Sequence, residues 1–442
     1  MVEIRAVSGY EKVGRNMTAL RVGDKVIIFD MGIDLENYIK LVGEDDISKI
    51  SVKQLRSAGA IPDDSFLEDW KDMVKAIVIT HAHLDHIGAV PFLASKYNAP
   101  IIATPYTIEV LKKIIKENHF KVKNEFKVLS PNSHIVIDGV RIEFINATHS
   151  TPQTVMISVK TPQGYVVYAN DYKLDHYPVL GRKTNIKRLR EMGDEGVLAL
   201  IVDSTRAAES RKTPSETVAR DMLRDVLLGV DHRGKLIVIT TFSSHLARLK
   251  SIVHFSKLLN RKLVFLGRSL FKYCTAGDDI NISKFSNEAK MIGYGNKIKR
   301  FLEKFPEHER GNYIFVMTGH QGEPNSVLSK IAYGKIKFHF NEGDAVIFSC
   351  RVIPTETNIE NRKRLEEKLL SQNVRLFKDI HVSGHACKED DRDLINALRP
   401  KFIIPSHGSK DMRSALKKLA VEMRYSENRI IMMNNHTGVK LD

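Results

Sequence analysis

The apolar run Ala76–Thr80 empties directly into His81-Ala82-His83-Leu84-Asp85-His86, so four potential metal ligands leave one strand end within six residues. A strand that feeds such a loop must lie inside a sheet, because only a fixed, buried edge can hold several side chains aimed at one point. Three imidazoles and one carboxylate at this spacing suit a borderline-soft ion such as Zn²⁺. A single histidine is usually structural; this grouping points to a metal centre. Cys274, Cys350 and Cys387 are too widely separated for a disulfide framework or a zinc ribbon, so histidines and carboxylates must carry any metal.

The sequence around this loop alternates apolar runs with turns. TALRVGDKVIIFDMG reads as a hairpin, and AIVIT, PIIAT, HIVIDGVRIEFINAT, TVMISVKTPQGYVVYAND and LALIVDST read as strands. Helical spacing interrupts them at AVPFLASKY and TIEVLKKIIKENH. After Ser204 the rhythm changes: the helix SETVARDMLRDVLLG precedes the strand KLIVITTFSS, then another helix and the strand KLVFLGRSL. YIFVMTGHQ and DAVIFSC continue the series. Strands alternating with helices predict a parallel sheet. The expected organisation is therefore a first domain over 1–204, a separate α/β domain over 205–370, and a return to the first domain over 371–442. NVRLFKD, KFIIPSHGS and RIIMMNN are the strands expected in that last part, between the helices DRDLINALR and DMRSALKKLAVEMR.

With 43% hydrophobic and 27% charged residues in 442, the chain has the composition of a globular protein with more than one core. It holds no apolar run of about 18 residues and no apolar core near its N-terminus, which predicts a cytoplasmic protein without a membrane span. Lys and Arg number 68 against 53 Asp and Glu, a net charge of +15. A polyanionic partner suits that surplus, as does a solvated Lys-rich surface.

The His-x-His-x-Asp-His pattern at a strand end resembles the metal-binding motif of the metallo-β-lactamase superfamily, whose fold is an αββα sandwich. The superfamily's later ligands have candidates in order: His149 in INATHST, Asp171 in YVVYAND and His407 in FIIPSHGS, each after an apolar strand. The resemblance implies two zinc ions, one held by His81, His83 and His149, the other by Asp85, His86 and His407, with Asp171 bridging. Mn²⁺ or Mg²⁺ are further ions that could support activity. Asp30 in VIIFDMG matches a position that orients ligands. A metal pair would lower the pKa of a shared water and steady charge on a scissile phosphate, with Asp85 in the catalytic set.

HVSGHACKED at 381–390 and DST at 203–205 resemble motifs of the β-CASP group, the nucleic-acid-processing branch with an inserted α/β domain. In that likeness His385 is the general acid or a donor to the phosphate, and Asp203 orients it. TFSSHLARL, TGHQGEPNSVL and HVSGHA resemble the phosphate-handling loops of RNase J, and the likeness runs from about Val7 to about Gly438. Ser243, Ser244, His245, His320, Ser383, Gly384, His385 and Ala386 would then meet substrate phosphates. The family resemblance implies a processive 5′→3′ exoribonuclease preferring single-stranded RNA with a 5′ monophosphate, with endonuclease activity a further option, acting in RNA decay and maturation. A homodimer and a larger RNA-decay complex are further expectations.

Three features depart from the bacterial pattern. The chain ends soon after the last lactamase strand, where bacterial RNase J usually carries an extra domain. His320 stands where many relatives have Ser, and HVSGHAC ends differently from HVSGHGS. The nearest alternative is an archaeal nuclease like the cleavage and polyadenylation specificity factor, which makes internal cuts. An N-terminal RNA-binding extension is frequent there, whereas the hairpin here begins almost at Met1. A small-molecule metallo-hydrolase leaves the inserted domain and HVSGH unexplained, and a non-catalytic RNA-binding scaffold would be expected to have lost ligands.

Overall fold

A computed structural model describes residues 1–42 and 50–441. Within it, the chain forms two compact units. The first comprises Met1–His176, Gly181–Thr213 and Ser383–Asp442; the second comprises Tyr177–Leu180 and Pro214–Val382.

Strands are numbered along the chain. β1 (Val2–Ser8), β2 (Met17–Val22), β3 (Lys25–Phe29), β4 (Val74–Val78), β5 (Ile101–Ala103) and β6 (Phe126–Val128) come first. Next are β7 (His134–Ile137), β8 (Val140–Asn146), β9 (Val155–Thr161), β10 (Gly164–Ala169) and β11 (Val197–Asp203). The second unit holds β12 (Ile237–Thr240), β13 (Lys262–Leu266), β14 (Lys290–Ile292), β15 (Tyr313–Met317), β16 (Ala345–Phe348) and β17 (Arg375–Phe377). The chain then returns through β18 (Phe402–Ser406) and β19 (Thr437–Leu441).

In the first unit one sheet runs β19-β1-β2-β3-β4-β5-β6 and the other β18-β11-β10-β9-β8-β7. Hairpin pairing is antiparallel through β19-β1-β2-β3 and β7-β8-β9-β10, and parallel beyond β3 and β10. Alternation along the strands decides which side chains turn inward. Ile27, Phe29 and Val78 of one sheet share a buried cluster with Phe144, Ile157, Val166 and Tyr168 of the other. Phe29 and Tyr168 stack at 5.1 Å between ring centroids. The outer face of the second sheet carries Val167, Leu200 and Val202 against Leu189, Leu394, Leu398, Leu416 and Leu419 from helices. These layers form the metallo-β-lactamase sandwich.

The second unit has one sheet, β14-β13-β15-β12-β16-β17, with every strand pair parallel. Helices precede its strands in the βαβ manner, beginning with Glu216–Leu228, where the Ser215 hydroxyl accepts from the Thr217 N–H. On one face of the sheet Val238, Val264, Phe315 and Val346 share a buried cluster with Ile298, Leu302, Leu328, Leu365 and Leu369 from helices.

Several expectations are corrected. The units divide at 213/214 and 382/383 rather than at 204/205 and 370/371. NVRLFKD therefore supplies β17 of the parallel sheet, paired with β16, rather than a strand of the first domain. RIIMMNN contributes an isolated bridge, Ile403 to Ile430, instead of a strand. The strand that closes the sheet is β19, paired antiparallel with β1; its half-polar sequence TGVKL gave no strand signal. AVPFLASKY forms two short turns, Val90–Leu93 and Ala94–Lys96, in place of one helix. No described helix is long and apolar enough to cross a membrane.

Candidate active site

Both sheets of the first unit deliver their functional side chains just beyond strand C-terminal ends. Asp30 follows β3, His81 follows β4, His149 follows β8, Asp171 follows β10, Asp203 ends β11 and His407 follows β18. Asp30, Asp171 and His407 all adopt left-handed backbone, with φ of 57°, 55° and 51°. Three non-glycine residues at positive φ within one site mark backbone strain held by its surroundings. Gly32 explains how the loop of His83 to His86 can sit so low: a Cβ there would meet the Asp85 carbonyl oxygen at 1.5 Å.

Two ligand clusters result. In one, His81 Nε2 lies 3.1 Å from His83 Nδ1 and 3.4 Å from Asp171 Oδ2, and His149 Nε2 lies 3.2 Å from His83 Nδ1 and 3.4 Å from Asp171 Oδ2. In the other, Asp171 Oδ1 lies 3.3 Å from His86 Nε2 and 3.1 Å from His407 Nε2, while Asp85 Oδ2 lies 3.6 and 3.9 Å from those nitrogens. A tetrahedron with metal–nitrogen arms of about 2.0–2.1 Å has edges of about 3.3 Å, so both clusters are sized for such an ion. Asp171 offers one oxygen to each cluster. Its Oδ1 and His407 Nε2 are buried and make no hydrogen bond, a cost that a cation between them would remove. The donor set is compatible with a metal-binding site.

Outer partners fix which nitrogen faces inward. His149 Nδ1 donates to the Gly384 carbonyl at 2.7 Å, His86 Nδ1 to Asp30 Oδ2 at 2.7 Å, and His407 Nδ1 to Asn16 Oδ1 at 2.8 Å. His81 Nδ1 meets the Thr80 hydroxyl at 3.0 Å, and that hydroxyl in turn donates to Asp30. Asp30 also accepts the Thr80 N–H, tying the end of β4 to the turn that carries His86. Asn16 and Thr80 carried no signal in the sequence. Asn16 also donates from Nδ2 to the Asp85 carbonyl at 3.1 Å, so one amide braces both sides of the second cluster.

Electrostatics keep most of these nitrogens free to coordinate. Burial holds His81 and His149 well below the usual imidazole range and His83 at about 4, so all three are neutral near pH 7. For His86 burial works the same way, but Asp171, Asp85 and Asp30 outweigh it and raise its pKa well above normal. Burial would raise Asp171, yet His407, His86 and His385 outweigh that and keep it ionised.

His385 stands beside the clusters. Its Nδ1 donates to Asp203 Oδ2 at 2.8 Å, its Nε2 lies 4.0 Å from Asp171 Oδ2, and its ring stacks parallel to His407. Burial would lower its pKa, but Asp203 and Asp171 raise it to about 9. A protonated imidazole with Nε2 turned towards the ligand cluster can donate a proton there. The Thr205 N–H holds the other Asp203 oxygen at 2.8 Å.

Comparisons with known proteins agree with this geometry. Residues 11–184 match the metallo-beta-lactamase superfamily, 234–364 the beta-CASP domain of Ribonuclease J, and 372–432 a Zn-dependent metallo-hydrolase RNA specificity domain. Ribonuclease J of Methanocaldococcus jannaschii is 43% identical over 427 residues, covering 96% of this chain and 95% of that one. The chain belongs to the ribonuclease J family. Ribonuclease J of Pyrococcus abyssi is 41% identical, over 99% of this chain and 97% of its own length. Ribonuclease J 1 of Streptococcus pyogenes is 29% identical, and the match spans 73% of it. A solved structure of a protein of unknown function from Enterococcus faecalis superposes with a TM-score of 0.67 over 99% of both chains at 16% identity, a likeness of fold.

The loops singled out by likeness to ribonuclease J fall in both units. Ser383, Gly384, His385 and Ala386 lie in the first; Gly384 uses its carbonyl to orient His149, and a Cβ on it would come within 2.9 Å of that ring. Ser243, Ser244, His245 and His320 lie in the second, beyond the C-terminal ends of β12 and β15. Such ends are where open parallel sheets commonly bind ligands. The Ser243 hydroxyl meets that of Ser269 at 3.0 Å, and the His320 ring packs edge-on against Phe242 at 4.5 Å. His245 Nε2 lies 3.4 Å from Glu216 Oε2.

Proposed function

We propose that this chain is a metal-dependent ribonuclease that hydrolyses single-stranded RNA from a 5′-monophosphorylated end. The observation that carries the reading is Asp171, which divides its two oxygens between two histidine clusters, with His385, hydrogen-bonded to Asp203, beside it.

His81, His83, His149 and Asp171 would hold one zinc ion, and Asp85, His86, His407 and Asp171 a second. The bound pair supplies a water of lowered pKa and neutralises charge on the phosphate under attack. The chain's own groups do the rest. Asp30, Thr80, Asn16 and Gly384 hold the outer nitrogens of His86, His81, His407 and His149, fixing four of the five imidazole tautomers. As the water oxygen bonds to phosphorus, the P–O3′ bond breaks, and His385 Nε2–H gives its proton to the leaving 3′ oxygen. Asp203 stabilises the imidazolium beforehand and sets Nε2 as the donor. The new RNA end keeps its 5′ monophosphate, so each product is again a substrate, which suits processive 5′→3′ degradation. Ser243, Ser244, His245, His320 and Ser383 are proposed phosphate contacts.

The test compares two copies of one internally labelled RNA, bearing a 5′ monophosphate or a 5′ triphosphate, with Asp85→Ala protein as control. Mononucleotides released from the monophosphate RNA, and lost in the variant, are the expected result. Discrete internal fragments from both RNAs would favour an endonuclease, and no cleavage with any metal would sink the ribonuclease reading.

A further inference from the structure

At the opposite ends of β11 and β18 from the candidate metal site lies a groove of about 470 Å³, lined among others by Val197, Arg399, Lys401, Arg424, Tyr425 and Arg429. β11 and β18 run parallel, with Ala199 opposite Phe402 and Asp203 opposite Ser406. The groove takes their N-terminal ends, whereas Asp203 and His407 occupy the C-terminal ends. Seven strand residues separate the two places by about 20 Å at roughly 3.3 Å each.

Four of the lining residues are cations and none is an acid. The nearby acids are already engaged: Asp194 pairs with Arg399, and Glu427 pairs with Lys417 at 2.6 Å. Asp194 and Arg399 are both largely exposed, so that pair is weak and easily exchanged for another anion. The side chains of Arg424 and Arg429 make no hydrogen bond or ion pair among the described residues. Tyr425 is half-buried, packed against the apolar core of the second sheet and facing the charges of Arg429 and Arg399. An aromatic ring set in a basic, acid-free groove is the combination that holds single-stranded nucleic acid, with bases on the ring and phosphates on the cations.

We infer that this groove is a second RNA-binding site, in which Arg399, Lys401, Arg424 and Arg429 hold backbone phosphates and Tyr425 offers a face for a base. It takes single-stranded RNA to be the substrate, as proposed above, and adds a contact that only a long strand can make. A strand held at both places would dissociate more slowly than one held at the metal clusters alone.

The test uses the full chain carrying Asp85→Ala, which blocks cleavage, with and without Arg424→Ala and Arg429→Ala together. Binding of 3′-fluorescein RNA of about 30 nucleotides, beyond common single-strand site sizes, and of about 4 nucleotides is followed by anisotropy over a salt series. Each lost phosphate contact removes about 0.7 from the slope of log affinity on log salt. The paired substitution should therefore lower the slope for long RNA by about 1.4 and weaken its binding, leaving the short RNA unchanged. Equal affinity and slope for long RNA in both proteins would overturn the inference, as would equal weakening for both lengths. Failure of both proteins to bind any RNA would instead overturn the ribonuclease reading, and this inference with it.

Discussion

Asn16 shows how much of a site can hang on one uncharged residue. It accepts from His407 and donates to the Asp85 carbonyl, so Asn16→Ala would free one imidazole and loosen the loop beside it. Loss of such an orienting partner typically costs about 10–100-fold in metal affinity. Competition with a chelator should show that fall for Asn16→Ala, while Asn16→Asp, which keeps an acceptor, should lose less; equal affinity in all three proteins would contradict the assignment. For His385→Asn the expectation is different: metal content unchanged and kcat lower by about 10²–10⁴-fold, read by elemental analysis beside RNA hydrolysis. His81, His149, Asp171 and His407 could be read from sequence because each sits one to three residues past an apolar strand, and His83, Asp85 and His86 because they crowd into the loop that His81 opens. Asn16 and Thr80 could not, since a neutral side chain two contacts from the chemistry leaves no spacing or charge signal.

Among the elements, the helices Glu216–Leu228 and Leu246–Leu258 are joined by a buried ion pair. Arg248 Nε and Nη2 reach the Glu216 carboxylate at 2.6 and 3.0 Å, and Nη1 donates to the Ser349 and Ile380 carbonyls at 2.9 Å each. Arg248→Met would leave the buried Glu216 carboxylate without its bidentate partner, with His245 at 3.4 Å a weaker one, and should destabilise the second unit by about 3–5 kcal/mol, measured by urea unfolding; adding Glu216→Leu should recover much of it. His381 sets a pH dependence in the same unit. Burial, with Arg248 and His245 adding repulsion, lowers its pKa to about 2 against 6.5 in the unfolded chain. The unfolded state then binds the extra proton, so stability falls as pH drops from about 6.5 towards 2. Urea midpoints at pH 7 and pH 5 should differ less in His381→Gln than in the parent, and an equal difference would contradict this. The parallel rhythm of these elements was legible, but β17 was assigned to the wrong sheet. A three-residue strand has too little sequence to name its neighbours, and β19 was missed because an edge strand with exposed polar residues lacks the apolar run that marks a buried one.

At the scale of the whole molecule, a discontinuous first unit gathers its candidate ligands from positions 81 to 407, while the second unit is built almost wholly from Pro214–Val382 with the short segment Tyr177–Leu180. That arrangement requires Met1–His176, Gly181–Thr213 and Ser383–Asp442 to fold together before the seven candidate ligands can meet. The switch from hairpins to a parallel sheet announced two domains, yet the junctions lay about ten residues from where the rhythm changed. Thr213 and Cys387 explain the shift: the Thr213 hydroxyl accepts from the Cys387 N–H at 2.9 Å and donates to the His385 carbonyl at 2.8 Å, so the segment after Ser204 remains part of the first unit. The charge of +15 has a concrete counterpart in the acid-free groove at the start of β11 and β18. If Asp171 and the six side chains around it form one two-ion hydrolytic centre, the chain must bind two metal ions. Elemental analysis of purified, dialysed protein should find two equivalents of metal per chain, with both clusters weakened by Asp171→Ala. Two equivalents retained in that variant, or no bound metal in the parent after incubation with zinc, would contradict such a centre.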